Sequence, residues 1–175
     1  MLTLRSAEQI KQDILAEGKA LSTFPQSVNF PFASSYVDLV KQIKTKEIST
    51  ECTLFNAAQA SKETRTFADP DYWPATYTRQ GIDRFWIFGQ NGQGDLWLLD
   101  NEHKLYFYDH NQGQMSLNNF VELHIDFDCW LQYADLNRQL DEIYNQEGEI
   151  NEACKNDYIH KLQHMGNALL RLFEL

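Results

Sequence analysis

Apolar positions along the chain change their spacing several times, and each change predicts a different element. Near the N-terminus Ile10, Ile14 and Leu15 recur at helical spacing behind Ser6 and Gln9, whose types and separation make a capping box. Gly18 weakens this helix near its end. A second helix is expected from Ser35 to about Lys46, with Tyr36, Leu39, Val40 and Ile43 on one side and Asp38, Lys41 and Lys44 turned to solvent. Between the two helices lie Phe24-Pro25 and Phe30-Pro31-Phe32. Proline lacks the amide that a helix interior needs, so this stretch is read as an extended crossing.

The helical period then gives way to short apolar runs. Asp69 through Pro74 reads as a loop from its acids and prolines. Arg84–Phe88, Leu96–Leu99 and Leu105–Tyr108 follow, each four or five residues long, rich in aromatics and bounded by turn residues. These are expected strands. Asn91-Gly92 is expected to supply the positive-φ positions of a tight turn between the first two. Asp100 to His103 turns between the second two, which makes the three strands an antiparallel meander. Because Phe85, Trp86, Ile87 and Phe88 are all apolar, the first strand should be covered on both faces.

Helical spacing returns at the end. Asp126 or Asp128 is expected to cap a helix carrying Phe127, Trp130, Leu131, Ala134, Leu140, Ile143 and Tyr144 as one stripe, with Gly148 beyond it. Asn151 precedes a last helix with Cys154, Tyr158, Leu162, Met165, Leu169 and Leu172 in register. The order of elements predicts an α+β fold: a small, mainly antiparallel sheet containing a three-strand meander, flanked by N-terminal and C-terminal helices. At 175 residues one domain over 1–175 is expected.

Charge narrows the function. Lys and Arg number 15 against 25 Asp and Glu, a net charge of −10. Residues 1–68 hold 8 basic and 7 acidic groups, and residues 69–175 hold 7 basic and 18 acidic. Phosphate backbones are bound by clustered cations, so nucleic acid is not the expected ligand. The start of the chain shows no basic segment leading into an apolar stretch, and no run of about 18 apolar residues occurs, so neither a secretory signal nor a membrane span is expected. Cys52, Cys129 and Cys154 are three, widely spaced and best read as reduced, mostly buried thiols of a cytoplasmic protein.

Few motifs carry chemistry. The cluster Gly89 to Asp95 lacks the Gly-Lys-Ser/Thr ending of a phosphate loop and runs into a strand, so it reads as a hairpin turn. Asp109-His110-Asn111-Gln112-Gly113 opens like a calcium loop, but Phe120 stands where the twelfth-position carboxylate belongs, which leaves a solvated turn. Asp157, His160 and His164 share a helix face with zinc-ligand spacing, yet no Glu follows the first His. A polar surface face is the plainer reading, with a metal-dependent enzyme as the remote one. No glycine-flanked serine suggests a nucleophile elbow. Trp86, Trp97 and Trp130 fall on faces that should be core. Trp73 sits in a loop beside Asp69 and Asp71, either as an exposed recognition anchor or as a lid folded over the core.

Residues 85–100, with the Gly94-Asp95 turn and an aromatic strand ending in Asp100, followed by Leu105 to His110, resemble the signature of the SUKH superfamily. The segment Phe127 to Leu131, with its Trp-Leu pair, is similar to the family's helix after the meander. Together these cover residues 84–145, with a C-terminal helix over 146–175. The resemblance implies an α+β fold without catalysis, cofactor or metal. It implies an immunity protein that neutralises a cognate bacterial toxin, of which a basic nuclease suits the acidic charge. An intracellular adaptor of the same fold is the alternative. Exposure and charge make Asp69, Asp71, Trp73, Asp83, Glu102 and Asp109 the expected partner-binding residues of a monomer that meets neither membrane nor nucleic acid.

Overall fold

Every strand of the sheet pairs with its neighbour in sequence. The computed structural model describes residues 1–112 and 115–173. Among them, β1 (Lys46–Ser49), β2 (Cys52–Leu54), β3 (Phe85–Gln90), β4 (Leu96–Asp100), β5 (Leu105–Tyr108) and β6 (Phe120–Glu122) form one antiparallel sheet in that order. The helices are α1 (Ala7–Ala16), α2 (Ser34–Val40), α3 (Ala57–Phe67), α4 (Arg79–Asp83), α5 (Phe127–Glu147), α6 (Glu152–Met165) and α7 (Leu170–Phe173). The class is α+β, and the expected meander is β3–β4–β5.

Both faces of β3 are covered, as its unbroken apolar run requires: Phe85 to Gly89 are all buried. On one face Phe88 and Trp97 meet Trp130 of α5 at ring-centroid distances of 4.9 and 5.9 Å. The proline-bearing crossing lies beside them, with Phe24 and Phe32 edge-to-face and Phe30 tilted against Trp86. The Trp86 indole N–H donates to the Tyr36 hydroxyl at 2.9 Å. On the other face Phe85 and Phe120 pack with Phe67 of α3 and with Trp73. β2 ends before the start of β3, and α3 covers the gap: the Ile87 amide donates to Thr64 Oγ1 at 2.9 Å. A strand edge left without water needs such a partner.

Helix ends follow local chemistry. The Ser6–Gln9 capping box forms, Asp126 and not Asp128 caps α5, and Asn151 caps α6. Gly148 closes α5 at φ +78°, a conformation that costs a side-chain-bearing residue energy.

Four expectations are corrected. The second helix stops at Val40, and Lys46 opens β1 instead, because Ile48 alternates inward with a charged neighbour, Glu47. The Asn91-Gly92 step is not a two-residue turn. The loop spans five residues, Asn91 Oδ1 accepts the Gln93 and Asp95 amides at 3.0 and 2.9 Å, and the positive φ falls on Gly94 at +94°. The C-terminal helix breaks at Gly166, so Leu169 and Leu172 belong to a 3-10 turn and to α7. On α5, Tyr144 is exposed, while Asp135 and Asn137 are buried.

Candidate functional site

Three connecting segments and a helix meet at one end of the meander. Glu51 lies between β1 and β2, Asn91 and Asp95 lie between β3 and β4, and Asp109 and His110 follow β5. Tyr133 and Asp141 reach the same end from α5. These elements enclose a cavity of about 210 Å³ lined by Glu51, Asp95 and Asp109, by Asn91, Gln93 and Asn111, by the rings of Trp97, Phe107 and Tyr133, and by Leu172. Among the described residues, no Lys or Arg lines it.

The local bonds explain how the acids are held. Asp95 accepts the Asn91 side-chain amide at 2.8 Å, the His110 backbone amide at 3.0 Å and His110 Nδ1 at 2.6 Å. Asp109 takes the Asn111 amide at 2.8 Å, and that bond holds its carboxyl below the usual range. Glu51 differs. Its backbone oxygen receives the Trp97 indole N–H at 3.0 Å, while burial pushes its carboxyl pKa up. The Asn91 amide opposes that rise, and the charges of Asp141 and Asp95 add to it. Asp141 itself accepts the Thr50 amide at 2.8 Å.

Chemically, the cavity suits a cation backed by aromatic walls. Asp95, Asp109 and His110 offer ligand atoms within 4.8 Å of one another, the one such group of three among the described residues. Two of its members, Asp95 and His110, already satisfy each other. The calcium-loop reading includes Gly113, which lies outside the described residues. A larger groove of about 520 Å³ runs between α1, α5 and β1, but its cations are already paired: Arg5 with Asp13 and Asp135, Arg138 with Asp135 and Glu142, and Lys46 with Glu17.

The residues expected to bind a partner are dispersed. Only Asp109 lines the acidic cavity. Glu102 is on the β4–β5 turn at the opposite end of the meander, paired with Lys104 at 2.9 Å. Asp83 pairs with Arg79 on α4 at 2.8 Å. Asp69 caps the 3-10 turn Pro70–Tyr72, and Asp71 is exposed there. Trp73 is buried, with its indole N–H on the Phe67 carbonyl at 2.6 Å, so of its two readings the structure takes the lid and not the exposed anchor.

The zinc-like trio does not converge. Asp157 takes the Lys161 ammonium at 2.6 Å and the Leu2 amide at 2.7 Å. Sequence reasoning missed Glu51, Asp95 and Asp141 as site residues. Asp95 had a signal in the Gly-Asp turn, whereas Glu51 and Asp141 come from distant segments that only the fold brings together.

No family model, curated protein or solved structure matches this chain. Among the described residues no helix is long and apolar enough to cross a membrane.

Proposed function

We propose that this chain is a non-catalytic protein-binding module, a cytoplasmic immunity protein of SUKH type that neutralises a basic bacterial toxin. The observation that carries this reading is the cavity at the end of the meander, with three carboxylates, aromatic walls and, among the described residues, no lining Lys or Arg. A Lys or Arg side chain of the toxin enters it, and the excess of acids in residues 69–175 steers the encounter. Inhibition of this kind works by covering the toxin's cleft and needs no chemistry from the inhibitor. The resemblance of residues 84–145 to the SUKH signature supports the same assignment.

The test is co-expression with the polypeptide encoded beside this gene. Cells that die or stop growing when the neighbour is expressed alone, and recover when this chain is supplied, are the expected result. A neighbour that is harmless, or whose toxicity this chain leaves unchanged, contradicts the reading.

A further inference from the structure

His160 and His164 stand one turn apart on α6, both exposed, with ring centroids 4.3 Å from each other. Nδ1 of His164 lies 2.7 Å from the main-chain oxygen of His160. A carbonyl oxygen only accepts, so Nδ1 carries the proton, and in the neutral ring the lone pair is left on Nε2. A backbone carbonyl behind one ring nitrogen is the arrangement that orients metal-bound histidines. Lys161, the sequence neighbour of His160, has its charge occupied by Asp157 at 2.6 Å.

We propose that His160 and His164 chelate a borderline transition-metal dication such as Zn²⁺ or Ni²⁺, with water completing the coordination. Imidazole pairs select these ions over Mg²⁺ and Ca²⁺, which take oxygen ligands. The helix holds the two rings together only in the folded chain, so the metal stabilises the fold by mass action. This site lies on α6, its residues are not among those lining the acidic cavity, and it does not depend on the function proposed above.

The test is titration of the full chain with Ni²⁺ and Zn²⁺, read by calorimetry and by thermal unfolding. One ion per chain is expected, with a rise in Tm that EDTA reverses and that Mg²⁺ does not reproduce. His160→Gln and His164→Gln each weaken binding roughly tenfold or more, and Gln is a good enough helix former to keep α6 intact. His110→Gln, at the Asp95–Asp109–His110 group, leaves the affinity unchanged. Failure of the wild-type chain to bind one ion, equal affinity in the doubly substituted chain, or loss of binding on His110→Gln overturns the proposal.

Discussion

Asp95 accepts two hydrogen bonds from His110, one from its backbone amide at 3.0 Å and one from ring Nδ1 at 2.6 Å. Through this contact the β3–β4 turn is fastened to the chain leaving β5, and the cavity between them keeps its shape. The second oxygen of Asp95 holds the Asn91 side chain, which in turn shapes the turn by accepting the Gln93 and Asp95 amides.

Asp95→Ala therefore removes the 2.8 Å acceptor of the buried Asn91 side-chain amide, which keeps only the longer 3.5 Å contact to Glu51, and takes the Asp95 carboxylate away from the His110 amide. A loss of about 1–3 kcal/mol in unfolding free energy is expected, read from urea denaturation with an unchanged slope. A change within about 0.5 kcal/mol, the range of ordinary surface substitutions, contradicts a structural role for the pair.

Trp73 separates two readings of one residue. As a buried lid packed on Phe67 and Tyr77, its replacement by Ala costs about 3–5 kcal/mol of stability. The folded fraction should still bind the partner with wild-type affinity. Calorimetry on Trp73→Ala showing a large affinity loss in a chain as stable as wild type would return Trp73 to the surface-anchor reading.

The meander was legible from sequence because Phe85–Phe88, Leu96–Leu99 and Leu105–Tyr108 are dense, short and bounded by turn residues. Polar, charge-rich segments hid the rest. β1 and β2 alternate only over three or four residues, β6 is a three-residue edge with half-buried side chains, and α3 relies on small Ala residues against the sheet. The cavity was legible only in part. Asp109 was visible as an acid in a turn, but Glu51 and Asp141 acquire meaning when β1–β2 and α5 are brought to the same end of the meander.

Glu51 is an acid held where its charge is disfavoured by burial and by Asp141 and Asp95. A carboxyl with a raised pKa in the fold favours folding below its ordinary range, and this contribution is lost as pH rises through the folded value. Glu51→Gln should consequently stabilise the chain at neutral pH, with the gain shrinking as the pH is lowered into the ordinary carboxylate range. The same change should weaken partner binding, a trade of stability for function. Thermal unfolding across pH checks the first part; a destabilised variant at pH 7 contradicts it.

Asp100 behaves in the opposite sense. Burial disfavours its charge, but the Lys104 and Glu102 amides, the Arg84 guanidinium and the Tyr106 hydroxyl outweigh that and hold its pKa down. The lowered pKa makes its contribution present above the ordinary Asp value of about 3.9 and lost as pH falls through the lower folded one. Asp100→Asn should be less stable than wild type at pH 7, and the two should converge on acidification. A stability difference that stays constant with pH tells against this account.

The central claim is that the acidic cavity receives a cationic side chain of a basic toxin. Its most direct measurement is calorimetric titration of the neighbouring-gene polypeptide into wild-type chain and into the Glu51→Gln, Asp109→Asn double variant over a salt series. The claim predicts that the variant binds at least roughly tenfold more weakly, about 1.4 kcal/mol, with a shallower salt dependence. Equal affinity and an equal salt slope for the two chains would contradict it.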